Sequence, residues 1–495
     1  MTLSSADFSA IWLTLKLASL TTVILLVIVR LFPCFMLGMF ALQAHAFEPK
    51  TAEPSTPNPT VTSVSVKDYA ADLMSLYQES RLEDPRVLAA YARTEAGKEH
   101  SREAFGSLLP QISANGGANR IKQVNEQTNQ IYNSENYSIG LSQVLYNKAA
   151  WENYQKYKSL AKQSLSEADE AQAEATVDLA QRYFAALAAD DELELVQAER
   201  RATQKNLDRV SALYEKKYAM VTDVLDLKAR VDTLAAQEVE ARNQVRLSRV
   251  ALSEIVGRPV TERLSRVRDD VELKVSDESL DSWVQLAQTE NPSIKANLSA
   301  VEAAEAGLRE GKGGHYPTLN LNLSAQNTNE GYNNALAPKT DSYVAGLALS
   351  VPIYSGGATS ARVRGLYQDQ IAAEQQLEFT RRQVVKETTN AYLTADSSVE
   401  KIRANRTALS SAEQSSIASE KAFSYGVVNA VDVLTATQNE FKARRDLLKT
   451  QYDFITNLFI LNRWAGKLSA ESVESVNIWL SSNSKTDSSP ARKNQ

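Results

Sequence analysis

Cysteine occurs once in this chain, at Cys34, and histidine three times, at His45, His100 and His315. No intrachain disulfide can form, and no Cys/His zinc site can be assembled. Helix breakers are also scarce over long stretches. No Gly or Pro falls between Asn147 and Val256, and only Gly426 falls between Leu366 and Ala465. Such tracts, rich in Ala, Glu, Gln, Lys, Leu and Arg, predict long helices. Positive charge is not in excess: 54 basic against 60 acidic residues leave −6, which argues against nucleic acid as the main partner. The hydrophobic fraction, 43 %, is too low for a polytopic helical membrane protein and too high for a disordered chain.

Catalytic signals are missing as well. The histidines are isolated, and no Ser/His/Asp set is evident. Gly307-Leu308-Arg309-Glu310-Gly311-Lys312-Gly313-Gly314 has the look of a phosphate loop, but its spacing is wrong, no Ser or Thr follows the Lys, and no strand precedes it. It reads as a flexible approach to a strand at Pro317. No enzyme, cofactor or metal is expected.

What is present begins with a targeting segment, residues 1–46. Lys16 precedes the apolar run Leu17–Val29, and Arg30 precedes a second, Leu31–Leu42. Ala44-His45-Ala46 is a small-x-small cleavage site, with the cut expected after Ala46. An uncleaved inner-membrane anchor is the alternative. Pro33 before Cys34 and apolar residues after it do not suit a lipidated cysteine. Removing Lys16, Arg30 and Asp7 changes −6 to −7 and leaves no cysteine, as suits an exported protein without disulfides. Residues 47–66, rich in Pro, Thr and Ser, read as a disordered lead-in.

The rest is one unit written twice. Glu83-Asp84-Pro85 recurs as Glu290-Asn291-Pro292, and Pro110 as Pro317, at an offset of 207. Tyr146 pairs with Tyr354 at 208. Tyr183 pairs with Tyr392, Asp223-Val224-Leu225 with Asp432-Val433-Leu434, and Gly257 with Gly466, all at 209. The repeats are expected at 67–260 and 281–470, joined by a connector at 261–280 and followed by a partly disordered tail at 471–495.

Each repeat has the same element order. Asp84 or Asn291 is a good N-cap, and the following Pro suits the first helical position. A strand follows Pro110 or Pro317, clearest in Leu319–Gln326, where apolar and polar residues alternate. A polar loop is expected at Ile121–Glu135 and at Thr328–Asp341. A second strand is expected at Tyr137–Tyr146 and at Tyr343–Ile353. Then comes a helical hairpin. From Lys148 to about Tyr214 the apolar positions step by three and four, and ten of the thirty residues from Ala161 to Asp190 are Ala, which suits close coiled-coil packing. Some 65 helical residues span roughly 100 Å. The returning helix is expected from Asp223 to about Ile255.

Strands of roughly ten residues with one apolar and one polar face suit a bilayer and a wet lumen. Four strands cannot close a barrel, and open edges are not tolerated in hydrocarbon. Copies of the chain must therefore complete it, as eight, twelve or sixteen strands.

Four segments carry a resemblance to a known family. They are the strand starts Leu109-Pro110-Gln111-Ile112 and Tyr316-Pro317-Thr318-Leu319, the strand-to-helix run Leu349–Gly357, and the turn Tyr425–Leu434. Over about residues 67 to 470 the chain resembles the TolC family of outer-membrane efflux and secretion channels. The resemblance implies a mainly α fold with a β-barrel part: duplicated β-hairpins and long coiled-coil helical hairpins, four strands per chain, and a homotrimer whose twelve strands close one barrel and whose twelve helices form a tunnel with a tapered, closed entrance. It also implies a Gram-negative outer membrane extending into the periplasm, contact with outer-membrane lipid, and two partners that dock and open the entrance. These are a periplasmic adaptor and an inner-membrane transporter, either an ABC exporter or a proton-driven pump.

The candidate functional residues are acidic and lie at the helical turns. Asp432 resembles a carboxylate near the family's periplasmic entrance, where symmetry-related copies would form an acidic ring. The family often has a second carboxylate three residues on, where this chain has Thr435. Repeat one instead has Asp223 and Asp226, which share a helix face. The plainer reading is that Asp223 and Asp432 simply start helices. Lys216, Lys217 and Arg230 could form ion pairs that hold the tunnel shut, or a solvated face. Gly426 marks a turn needing positive φ. Its repeat-one partner is Lys217, so the two turns are expected to differ. The docking zone is expected at Tyr214–Val221 and Phe423–Val431, including Lys217, Tyr218, Tyr425 and Gly426. The expected function is an export duct, foremost for type I protein secretion because the mature chain lacks a lipid-anchor cysteine. Small-molecule efflux is the alternative, and a structural coiled-coil protein the alternative of a different class.

Overall fold

A computed structural model describes residues 71–126, 129–268, 271, 273–274, 278–330 and 339–481. The leader and lead-in expected at 1–66 lie outside them. The chain forms two compact units, one holding residues 95–163 and 298–376, the other 71–94, 164–297 and 377–481 of the described chain. The elements run in two matching sets. The first is α1 (Leu73–Glu83), α2 (Pro85–Gly106), β1 (Gln111–Val124), β2 (Asn129–Asn147), α3 (Lys148–Glu215) and α4 (Val221–Val256). After a short β3 (Arg266–Val267) come α5 (Leu280–Glu290), α6 (Pro292–Gly313), β4 (Thr318–Glu330), β5 (Thr340–Ser350), α7 (Ala358–Ser424) and α8 (Ala430–Trp464). The chain then adds α9 (Ala470–Asn477) and β6 (Leu480–Ser481). No described helix is long and apolar enough to cross a membrane.

The first unit holds one antiparallel sheet in the order β1-β2-β4-β5. Its register gathers the apolar positions. Ile112 faces Leu141 and Ala114 faces Ile139 across β1 and β2. Leu141 faces Leu323 across β2 and β4, and Leu321 and Leu319 face Leu347 and Leu349 across β4 and β5. Directly paired residues point to the same side of a sheet. One face therefore carries apolar residues from all four strands, with Gln143 among them and Arg120 and Lys122 toward the end of β1. The other carries Ser113, Asn115, Ser138, Ser142, Asn320, Asn322, Ser324 and Gln326 in the same rows. Within the chain, β1 and β5 are edge strands.

The hairpins correct the loop boundaries. Ile121–Val124 pairs with Asn129–Tyr132, and Asn133–Glu135 pairs with residues 118–120, so most of the expected polar loop is strand. Thr328 pairs with Thr340, and β5 ends at Ser350 rather than Ile353. Polar composition marked a loop in the sequence. Here it marks strand ends whose backbone groups the partner strand satisfies. The Gly-rich stretch is also corrected: helix α6 runs through Gly313. A Cβ on Gly311 would lie 2.5 Å from Leu366, and one on Gly313 would lie 2.7 Å from the Ala149 nitrogen. These glycines let α6 press against α3 and α7, and no flexible approach exists. Buried charge fixes the same contact: Glu152 takes Lys148 at 3.0 Å and Arg309 at 2.8 Å.

The second unit has the main core, where Leu73, Leu76 and Tyr77 of α1 meet Leu179, Tyr183, Phe184 and Leu187 of α3, Ile255 of α4 and Phe454, Ile455 and Phe459 of α8. The buried Tyr183 hydroxyl donates to the Ser265 carbonyl at 2.9 Å. The segment expected as a tail carries α9 and β6, and β6 pairs with β3 in the expected connector. Asn477 donates to Asp72 at 3.0 Å, so the two ends of the described chain are tied together.

The repeated landmarks make matching joints. The Asp84 carboxylate accepts from the Arg86 amide at 2.9 Å, and Asn291 accepts from the Ile294 amide at 3.2 Å, each capping a helix that starts at Pro. Helices α4 and α8 stop just before Gly257 (φ 77°) and Gly466 (φ 70°). A Cβ on Gly466 would lie 2.6 Å from the Glu290 carbonyl oxygen. Gly466→Ala is therefore expected to lower stability by about 1–3 kcal/mol, from positive φ and backbone collision together. Gly365→Ala, in open space within α7, should be neutral or stabilising by up to ~1 kcal/mol. Thermal melts of the detergent-solubilised protein compare the two.

Candidate functional site at the helical turns

Both long helices end in the same hydrogen-bonded turn. After α3, the Lys217 amide donates to the Tyr214 carbonyl and the Tyr218 amide to Leu213, both at 2.8 Å. After α7, the Gly426 amide donates to Phe423 and the Val427 amide to Ala422, both at 3.0 Å. This paired pattern is the Schellman motif, whose penultimate residue is left-handed. Lys217 takes that place with φ 64° and Gly426 with φ 72°. The expected difference between the turns is therefore not in the backbone. Lysine accepts a conformation that glycine adopts without strain, because the local hydrogen bonds dictate it.

The following helices start differently. Helix α4 begins after Met220, which supplies no side-chain cap. Helix α8 begins with a capping box: Asn429 accepts from the Asp432 amide at 2.8 Å, and the Asp432 carboxylate accepts from the Asn429 amide at 3.1 Å. Asp432 thus starts its helix, and its carboxylate stays exposed. Asp223 lies half-buried in the first turn of α4, and Asp226 is exposed one turn on. Thr435 bonds its hydroxyl to the Val431 carbonyl.

An apolar cluster joins the two turns. Val210, Leu227 and Ala430 are buried in it, with Leu207, Ala219, Val224, Phe423 and Leu434 around them. Outside this cluster the turns show apolar groups to solvent. Tyr218 is 81 % exposed and Tyr425 83 %, with Met220 and Val427 also exposed. Clustered exposed apolar side chains mark an interaction surface.

The expected basic latch forms differently. Among the described residues Lys216 and Lys217 make no ion pair. Arg230 reaches away from the turns to the buried Glu199. Sequence reading missed this node. Glu199, on α3, also takes Arg445 of α8 at 2.8 Å, and Arg445 holds Glu192 with its Nε at 2.9 Å. Burial pushes the Glu192 carboxyl upward despite its arginine. Further along α3, the Tyr452 hydroxyl donates to Asp191, and burial beside that carboxylate pushes the tyrosine upward. The acidic run Asp190-Asp191-Glu192-Leu193-Glu194 was the available signal. Four acids in five residues on a helix with buried faces require partners.

A duplicated chain of paired strands and long helical hairpins is the class these features define. The profile of the outer membrane efflux protein family matches residues 76–258 and 283–467, and the chain belongs to that family. It is 29 % identical over 417 residues to the outer membrane protein TolC of Vibrio cholerae, covering 83 % of this chain and 94 % of that one. It is 27 % identical over 435 residues to the alkaline protease secretion protein AprF of Pseudomonas aeruginosa, covering 86 % and 90 %. Its fold resembles the solved structure of the channel CusC, with a TM-score of 0.72 at 15 % identity, covering 81 % of this chain and 93 % of that one. The chain is an outer-membrane efflux channel of the TolC type, located in the outer membrane of a Gram-negative cell.

The turn geometry makes a paired prediction. Gly426→Ala should cost about 1 kcal/mol, because alanine at positive φ is strained, whereas Lys217→Gly should cost nothing or stabilise slightly. Protease nicking at each turn, read against the wild type, checks the pair.

Proposed function

We propose that this chain is the outer-membrane duct of a type I protein secretion system. It works as a homotrimer, with a periplasmic adaptor and an inner-membrane ABC exporter as partners. The supporting observation is the sheet: apolar residues from all four strands gathered on one face, polar ones on the other, and β1 and β5 at its edges among the described residues. Such a sheet meets hydrocarbon only if copies of the chain close it. Three copies would give twelve strands, the number the family resemblance implies. The similarity to AprF across 86 % of the chain favours protein cargo, as does the lack of cysteine after Ala46. The alternative is a small-molecule efflux duct served by a proton-driven pump, favoured by the family's description as efflux proteins.

In this reading the turns form the entrance. Asp432 would supply a carboxylate from each copy, with Asp223 and Asp226 beside it, making a cation site and an electrostatic gate. The surface at Lys217, Tyr218, Tyr425 and Gly426 would receive the adaptor.

Asp432→Asn is expected to weaken block by multivalent cations and to reduce cation preference in planar bilayers; unchanged block and preference would remove Asp432 from the entrance. Deleting the gene and comparing released proteins by mass spectrometry separates the two cargo readings. Loss of one or a few large proteins supports secretion. An unchanged secretome with raised drug sensitivity supports efflux.

A further inference from the structure

The four long strands contain only two basic residues, Arg120 and Lys122, both near the hairpin end of β1. They lie at even positions of that strand and so share a face with Ile112 and Ala114, the face that carries the sheet's apolar residues. Both are exposed, and among the described residues neither makes an ion pair. Lys122 sits opposite Ile131, whose neighbours on that face are Asn129 and Asn133. Arg120 sits opposite Asn133, with Glu135 on one diagonal.

Three strands change character in the same order on this face. Strand β1 runs Ile112, Ala114, Gly116 and Ala118 before it reaches the two cations. Strand β2 passes from Ile139 through Tyr137 to Glu135, and β5 from Ala345 through Tyr343 to Asp341. Tyr137 and Tyr343 are both exposed. Exposed tyrosine between apolar and charged residues marks the edge of the hydrocarbon. The ten residues from Ile112 to Lys122 cover about 33 Å of strand. At a tilt of roughly 40° that is about 25 Å along the membrane normal, the height of the apolar band in such barrels. The helices extend into the periplasm, so the hairpin ends lie at the outer leaflet.

We propose that Arg120 and Lys122 form a binding site for the headgroup of a phosphorylated glycolipid of that leaflet. Position and charge name the occupant. Two cations two residues apart on one strand face stand about 7 Å apart, in a layer whose anionic groups are lipid phosphates. The Arg120 fork matches two oxygens of one phosphate, and Lys122 offers a point charge to another. Two phosphates on one sugar headgroup fit this pair better than the single phosphate of a simple phospholipid. The long stems of both side chains lie along apolar surface while their heads stay in the headgroup layer. Glu135 opposes the anion. The inference rests on the reading of the sheet as part of a barrel closed by several copies.

The test titrates the purified protein, stripped of lipid in dodecyl maltoside, with diphosphoryl lipid A and counts bound lipid by native mass spectrometry. The wild type is expected to bind this probe at least about tenfold more tightly than its dephosphorylated form. Arg120→Gln with Lys122→Gln should abolish the preference, whereas Glu135→Gln should raise affinity about two- to fivefold. Opposite signs in the two variants are not what a merely destabilised barrel gives. A double variant that binds like the wild type overturns the proposal, as does equal affinity for the dephosphorylated lipid or for phosphatidylglycerol. Closing the barrel also sets β5 of a neighbouring copy beside β1. If Arg120 pairs there with Asp341, Arg120→Gln and Asp341→Asn each loosen the oligomer with lipid binding unchanged, and the proposal fails. Light scattering in the same detergent separates the levels. A single chain overturns the barrel and the site together, and an oligomer without phosphate preference overturns the site alone.

Discussion

Hydrocarbon offers no partner to an unpaired peptide group, and this constraint governs the sheet and everything attached to it. Four strands bond to one another, and among the described residues β1 and β5 have one free side each. In the proposed duct the exposed apolar side chains of this sheet, Ile112, Leu347 and Leu349 among them, would meet lipid, which those free sides cannot face. The side chains would suit a membrane that the backbone of one chain could not enter alone, and further copies of the chain would complete the ladder.

The helical part solves a different problem. A helix of 68 residues is far too long for its own propensity to hold it straight and in place. Alanine in α3 permits close approach, and the aromatic core around Tyr183, Phe184 and Phe459 fixes the helices at one level. Elsewhere arginines do this work. Arg182 reaches Asp178 and Glu254, Arg249 reaches Asp190, and Arg463 reaches Glu170, each joining or bracing long helices. The ties are spaced along α3, so each constrains the register of neighbours over only a few turns.

Much of this was legible in the sequence, because duplication tests itself. Asp84 and Asn291 both cap helices beginning at proline, and Gly257 and Gly466 both end helices with positive φ. The long helices were legible because nothing in them breaks a helix. The hairpin ends were not: Ile121–Glu135 is polar, and polarity signals a loop unless cross-strand pairing satisfies the backbone, which only the partner strand reveals. The Gly307–Gly314 stretch misled for a related reason. Glycine marks either freedom or crowding, and Ala149 and Leu366, far away in sequence, decide for crowding. At the turns Asp432 was found, but as half of a capping box. The acidic run beside Glu199 signalled a need for partners but not which ones, since its arginines come from two helices at sequence distances of 31 and 246.

The twin turns have a further consequence. Lys217 and Gly426 occupy one backbone geometry with opposite chemistry, a cationic side chain in one half and none in the other. A binding protein that recognises the shape of the bend meets two equivalent positions on every chain. One that recognises side chains meets a single position. If the turns receive a partner as proposed, the number of molecules bound per chain at saturation reports which property is being read.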